Sequence, residues 1–329
     1  MPRFRVEPED FRVDEIPLYE ATGEGGHTFL RIEKRLATSD GVARQLAAAA
    51  GVPARDVGYA GRKDRGAVTT QWMSVPDLDP VEAVELDLKG ARVLEAIRHP
   101  HKLRTGQLRG NHFQIRVREV DAEGEQAAQD ALARILAEGM PNRFGAQRFG
   151  QGGRNAAVGR ELLAGRRSIR DRRKARFLLS ALQSEVFNRV LEERSLPLDA
   201  VAEGDVAQVV ESGGLFIVED SVVENERARN FEISATGPIF GTKMMAASGE
   251  VGRWESEIMS AMDIPPAEEL KAPRGIRLPG TRRALRVRPQ GLCLTREEGA
   301  LLLEFGLPPG SYATVLLTEL FSELIEGGG

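Results

Sequence analysis

The chain is poor in the residues that build disulfides and metal centres. Its 329 residues include one cysteine, Cys293, and four histidines, His27, His99, His101 and His112. A single cysteine excludes an intrachain disulfide. With no CxxC or HExxH spacing, a structural zinc site would have to be assembled from scattered histidines. Cys293 itself reads as a small apolar filler in a strand. No apolar run approaches the ~20 residues that a spanning helix needs. The charged opening Met1-Pro2-Arg3-Phe4-Arg5-Val6-Glu7 lacks the apolar core of a signal peptide. These absences point to a soluble, cytoplasmic chain with a reduced cysteine and no membrane partner. Tryptophan and tyrosine are sparse, at two and three, which suits a sugar-binding cleft poorly. Lysine is scarce as well: 38 of the 45 basic residues are arginine. Arginine favours bidentate phosphate contacts and stacking on bases, although a GC-rich genome would give the same bias.

The rest of the composition is that of a globular protein, with 41% hydrophobic and 29% charged residues. At 329 residues the chain exceeds the size at which single cores stop growing, so two domains are expected. The formal net charge of −4 argues at first sight against a polyanionic partner. The charge is segregated, however. Arg92 to Arg118 holds seven basic residues against Glu95. Arg143 to Arg176 holds eleven against Glu161 and Asp171, and Lys271 to Arg288 holds seven and no acid. Eleven acids are gathered between Glu192 and Glu232. Three basic runs around an acidic block could fold into a basic surface.

Periodicity predicts mixed α and β structure. A helix capped by Ser39 contains Val42, Leu46 and Ala50. Short strands over Asp56–Gly61 and Gln71–Val75 flank a polar loop, and His112–Val120 alternates with Phe113, Ile115 and Val117 on one face. Glu123–Glu138 is helical, with Ala128, Leu132, Ile135 and Leu136 on one stripe. Leu178–Arg194 is a strongly amphipathic helix. Ala300–Phe305 reads as a strand and Ala313–Ile325 as a helix. The irregular alternation fits α+β. Gly139-Met140-Pro141-Asn142 and the linker-like Pro273–Gly280 mark soft boundaries, so the segment between them could be an insertion.

Three segments could carry chemistry. In Gly58 to Trp72, glycines bracket a loop in which Asp64 lies among Arg62, Lys63 and Arg65. Cations favour an ionised carboxylate suited to act as nucleophile or base, while a charged hairpin turn would look the same. Gly110-Asn111-His112-Phe113 places a potential base reader and a stacking ring at a strand, or equally a turn asparagine and a core phenylalanine. Pro141 to Gly153 interleaves glycine, phenylalanine and arginine, residues that permit close backbone approach, stacking and phosphate contact. Neither GxxxxGK[ST] nor GxGxxG occurs there.

Together these segments resemble the TruD family of tRNA pseudouridine synthases. The resemblance runs through Glu7-Pro8-Glu9-Asp10-Phe11, Gly61-Arg62-Lys63-Asp64-Arg65 with Ala67-Val68-Thr69 and Gln71-Trp72, Lys102-Leu103-Arg104 with Gly106, and Gly110-Asn111-His112-Phe113. It continues through Pro141-Asn142-Arg143-Phe144-Gly145-Ala146-Gln147-Arg148-Phe149-Gly150, Ser180-Ala181 with Phe187-Asn188, Leu278-Pro279-Gly280 and Leu307-Pro308-Pro309-Gly310-Ser311-Tyr312-Ala313-Thr314. These stretches keep the family's order over nearly the whole chain. The resemblance implies an α+β fold: a circularly permuted catalytic domain over 1–138 and 284–329, with a mixed, mainly antiparallel sheet flanked by helices, and an α/β TRUD domain inserted at 139–283. It implies isomerisation of uridine to pseudouridine in tRNA, usually at uridine 13, without cofactor or metal. It assigns the essential aspartate to Asp64, acting as nucleophile or base. It places Phe11, Asn111 and Phe113 around the target base, with Tyr312 where the family often has phenylalanine. Lys63 and Arg65 are its flanking cations. Arg104, Arg148 and the Arg166–Arg176 cluster are expected to meet RNA backbone. No protein partner is expected, and the chain is read as a monomer. Two other classes compete with this reading: a non-catalytic tRNA-binding or folding factor, and a carboxylate-pair glycoside hydrolase in which Glu9 or Asp10 faces Asp64.

Overall fold

Alternating side chains dictate the strands. Phe11, Val13 and Glu15 face one way, as do Thr28, Leu30, Ile32 and Lys34, and both rows are buried. The structure, a computed structural model, describes residues 1–327 (of Gln151, the backbone only). In chain order the elements begin with β1 (Arg3–Phe4), β2 (Phe11–Pro17), β3 (His27–Arg35), α1 (Ser39–Ala49), β4 (Gly58–Tyr59), β5 (Val68–Pro76), α2 (Pro80–Val84), β6 (Ala91–His99), β7 (Leu108–Arg118) and α3 (Ala122–Glu138). There follow β8 (Met140–Pro141), α4 (Arg154–Leu163), α5 (Arg172–Glu193), β9 (Val206–Val209), β10 (Leu215–Ile217), α6 (Ser221–Arg229), β11 (Ile233–Ile239), α7 (Gly249–Ala261), β12 (Thr281–Ala284) and β13 (Arg286–Val287). The chain ends with β14 (Gln290–Glu297), β15 (Ala300–Leu307), α8 (Ala313–Leu320) and β16 (Ile325–Glu326).

These elements form two compact units: Met1–Ala133 with Pro289–Ala313 and Leu317–Gly329, and Arg134–Arg288 with Thr314–Leu316. In the first, the sheet runs β14-β15-β7-β2-β5-β3-β6, with β4 on β5 and β1 joined to both β7 and β16. The pairs β2–β5 and β1–β16 are parallel and the other described pairs antiparallel, so the sheet is mixed and mainly antiparallel. α1 covers one face. Its Val42 and Leu46 pack with Leu30, Ile32, Met73 and Val75, each such side chain contributing about 1.5–3 kcal/mol by leaving water. The second unit has the sheet β10-β9-β11-β12 and the pair β13-β8. Its cores gather on α5, where Leu179, Leu182, Val186 and Phe187 are buried.

Several sequence expectations need correction. Thr38, not Ser39, caps α1, accepting from the Gly41 amide at 3.1 Å. α5 begins six residues before Leu178, because the Asp171 carboxylate caps the amides of Arg173 and Lys174. It is buried on most sides rather than along one stripe, so apolar periodicity marks its middle and misses its start. Leu136 is exposed. The last helix stops at Leu320, and Ile325–Glu326 instead pairs with β1. Cys293 does lie in a strand, β14, but is exposed and not a core filler. Pro273–Gly280 is no linker, since Ile276 and Leu278 join the core around α5.

Part of the third basic run is structural. Arg282 is buried and pairs with Glu255 at 2.6 Å. Arg286, equally buried, donates to the carbonyl oxygens of Glu138 at 2.8 Å and Ile233 at 3.2 Å. Burial lowers its pKa to about 10. Arg116 and Arg118 of the first run are likewise committed, to Glu297 and Asp10 at 2.7 Å each.

Candidate active site

The register of β2 against β7 sets Glu15 opposite Asn111 and Val13 opposite Phe113. Alternation turns Glu15 inward with Phe11 and Val13, putting a carboxylate into an apolar row. Such a group is costly unless paired. Lys63 provides the charge: its Nζ lies 2.7 Å from Glu15 Oε2, the two side chains being 7% and 1% exposed. The same ammonium donates to Asn111 Oδ1 at 2.6 Å, and the Trp72 amide donates to Glu15 Oε1 at 3.1 Å. The Lys63 backbone is held too, its N–H donating to Ser39 Oγ at 2.9 Å while that hydroxyl donates to Gln71 Oε1 at 2.6 Å. Lys63 is therefore fixed at both ends, and with it the position of the next residue.

That residue is Asp64, whose side chain keeps 33% of its surface open. Its Oδ2 lies 2.7 Å from Arg5 Nη2, and its Oδ1 accepts the Gly66 amide at 3.2 Å. Its carbonyl oxygen accepts from Lys34 Nζ at 2.6 Å. Lys34 ends the inward row of β3. Burial lowers its pKa to about 8, the charge of Asp64 opposing the shift and that of Lys63 adding to it. Arg5 has φ 56°, left-handed backbone that a side chain adopts only where its surroundings impose it. The surroundings are ample: its guanidinium sits 4.1 Å from the Phe11 ring centroid and also pairs with Glu326 of β16. At 2.7 Å the Arg5–Asp64 contact is a close ion pair, with the Arg5 side chain only 10% exposed.

The loop's own cations do not serve Asp64, contrary to the pattern of Arg62, Lys63 and Arg65 around it. Arg62 pairs with Asp40 at 3.1 Å, and exposed Arg65 donates to the Leu36 carbonyl at 3.3 Å. Phe11 and Phe113 are not free rings either, being 3% and 7% exposed. They meet edge-to-face at 6.2 Å, and Phe113 stacks on Phe305 at 5.1 Å. They form a buried aromatic cluster, linked to Asp64 through Arg5, which lies over Phe11.

The structure thus gathers Phe11, Lys63, Asp64, Asn111 and Phe113. Arg104 is exposed and lines a separate cavity of about 540 Å³ with Tyr19, His99 and Gln107. Gly106 N–H donates to the Ala60 carbonyl at 2.8 Å, tying the turn after Arg104 to the Asp64 loop. A side chain at Gly58 would strike the Leu103 carbonyl, so only glycine fits there. Tyr312 is half-buried just before α8. Arg148 belongs to the second unit, donating to Ser180 Oγ at 2.7 Å. Glu9 and Asp10 are not partners for Asp64: Glu9 pairs with Arg35 at 2.6 Å, and Asp10 is buried against Arg118. Among the described residues no group of three or more His, Cys, Asp or Glu is placed to hold a metal ion, and no helix is long and apolar enough to cross a membrane.

Sequence reasoning missed Arg5, Glu15 and Lys34. For two of them a signal existed, a charge at an inward position of a strand: Phe11-Val13-Glu15 and Leu30-Ile32-Lys34. Arg5 carried none.

Comparison with known proteins bears on the class first. A solved Methanosarcina mazei chain assigned to tRNA pseudouridine synthase D matches with a TM-score of 0.76, covering 98% of this chain and 93% of that one at 24% identity. At that identity the likeness speaks for the fold alone. In sequence the chain is 47% identical to tRNA pseudouridine synthase D of Anaeromyxobacter sp. strain Fw109-5, over 96% of this chain and 91% of the relative. It is 41% identical to the Thermus thermophilus protein of the same name, over 96% and 87%. The family model for tRNA pseudouridine synthase D (TruD) matches residues 2–170 and 167–320. The chain belongs to the TruD family.

Proposed function

We propose that this chain converts uridine 13 of tRNA to pseudouridine, with Asp64 as the reacting carboxylate. The observation that carries the reading is the setting of Asp64. It is partly open and held by Arg5, which itself lies over Phe11, while the neighbouring charges Lys34, Lys63 and Glu15 are buried. A carboxylate restrained in this way presents an oxygen in fixed geometry. Residues 1–138 and 284–329 are read as the catalytic domain and 139–283 as the inserted TRUD domain.

The target base must leave the stack, at a cost of a few kcal/mol that binding has to offset. In this reading Phe11 and Phe113 shape its pocket from beneath, Asn111 holds the polar edge with its side chain fixed by Lys63, and Tyr312 stands at the rim. Arg65, Arg104 and Arg148 meet the RNA. Asp64 adds to the base or sugar, or removes a sugar proton. By either route the N1–C1′ bond breaks, uracil turns, C5–C1′ forms, and the proton lost from C5 is balanced by one gained at N1. Water has to be kept out while the base is detached. Asp64→Asn is expected to bind tRNA and form no pseudouridine, and a U13C transcript to yield none with the unaltered enzyme. Product at the normal rate from Asp64→Asn overturns the assignment of Asp64. Product from the U13C transcript overturns the site.

A further inference from the structure

In the second unit, Phe177 of α5 is 43% exposed, and among the described residues no other Phe, Tyr or Trp is exposed. Single exposed apolar side chains are ordinary, so exposure alone means little. The setting of this ring is what matters. Arg173 and Lys174 lie one turn before it and Arg176 adjoins it, all exposed. These three and Arg172 occupy the first turns of a 22-residue helix that has no acid in its first turn. Cations at a helix N-terminus oppose the helix dipole. Among the described residues none of the four is in an ion pair. The Asp171 cap serves the backbone amides of Arg173 and Lys174, and the four clustered side-chain cations are left to attract an outside anion.

The ring has an organised neighbour as well. Arg148 places its guanidinium 5.3 Å from the Phe177 centroid. It is held there by donation to Ser180 Oγ at 2.7 Å and to Ser184 Oγ at 3.3 Å. Arg173, Phe177, Ser180 and Ser184 follow at helical spacings of four, three and four, hence on one face. A flat ring among unpaired cations matches the chemistry of an unpaired nucleotide, with a π-face for the base and charges for the phosphates on either side. An apolar protein surface would instead have to bury those cations without partners.

We infer that Phe177 is a stacking platform for an unpaired nucleotide of the tRNA, flanked by phosphate contacts from Arg173, Lys174 and Arg176. The inference rests on the proposed action on tRNA. Removing one base–aromatic stack weakens binding by roughly 5- to 150-fold. The test measures binding of an unmodified tRNA transcript to the full chain at several salt concentrations, for Phe177→Leu, Phe177→Trp and Arg173→Gln. Phe177→Leu is expected to weaken binding within that range with the salt slope unchanged, because no charge is lost. Phe177→Trp should bind within about twofold of the parent, and Arg173→Gln should reduce the slope. Parent-like binding by Phe177→Leu overturns the proposal, as does equal weakening by Phe177→Leu and Phe177→Trp. Either result from a parent protein that still makes pseudouridine leaves the proposed function standing. A parent that neither binds tRNA nor makes product fails that function itself.

Discussion

Arg5 offers the sharpest test of the site. In Arg5→Met the Asp64 carboxylate keeps the Gly66 amide and loses its 2.7 Å partner. A close, partly buried ion pair contributes about 1.5–3 kcal/mol, between the worth of exposed pairs and of fully desolvated ones. If that restraint acts in the transition state, the chemical step slows by roughly 10- to 150-fold. Two other contacts are lost with it, the pair with Glu326 and the cover over Phe11, so controls are needed. Glu326→Gln breaks only the outer pair, between groups of which Glu326 is more than half exposed. It should slow the reaction less than about twofold, in keeping with the small worth of exposed pairs. Arg5→Lys keeps a charge without the planar fork and should fall between. The assay is single-turnover pseudouridine formation with enzyme in excess, so that it reads chemistry rather than binding, with near-UV circular dichroism to confirm the fold. Arg5→Met within twofold of the unaltered enzyme would refute the reasoning. So would a Glu326→Gln loss equal to that of Arg5→Met, since the effect would then come from anchoring β1 and not from Asp64.

Two further outcomes follow from the buried charges. Lys63→Met strands the Glu15 carboxylate, which is 1% exposed, and should cost about 3–5 kcal/mol. Glu15→Leu together with Lys63→Met should cost less than the sum of the single changes in urea unfolding, and additive costs would show that the two do not interact. Lys34, with its pKa lowered to about 8, is charged in both folded and unfolded chains below that pH, and its burial cost is then fully present. Between about 8 and its ordinary 10.5 the unfolded chain binds the proton and the folded chain does not, so this residue makes stability rise with pH. Relative to Lys34→Met, the unaltered protein should therefore gain in Tm between pH 7 and pH 9.5, and a difference independent of pH would exclude the titration.

Much was legible in the residues alone. The period of two marked β7 and the inward row Phe113-Ile115-Val117, and the segregated charge marked basic runs that a net −4 conceals. Asp64, Lys63, Asn111, Phe11 and Phe113 were identifiable by pattern and resemblance, because local motifs survive in the order of the chain. Pattern could not tell which cation meets which anion. Arg62, Lys63 and Arg65 are next to Asp64 in sequence, yet its partner is Arg5, carried there by the pairing of β1 with β7 and β16. Sequence neighbours of a loop residue point along the loop, whereas the contact is set by strand register tens of residues away.

The same distinction separates the arginines. Their clustering along the chain was evident, but Arg282 and Arg286 are buried inside the second unit while Arg173 and Arg176 face solvent. Exposure depends on which face of an element packs, and packing is a property of the whole fold. By itself the sequence determined the α+β class and the family and singled out Asp64 as the candidate carboxylate, since these follow from periodicity and short motifs. The tertiary structure alone decided that a buried Lys63–Glu15 pair supports the site, that Arg5 holds Asp64, and that the Phe177 ring is open to solvent. Those three facts depend on distances between segments, which only the folded chain sets.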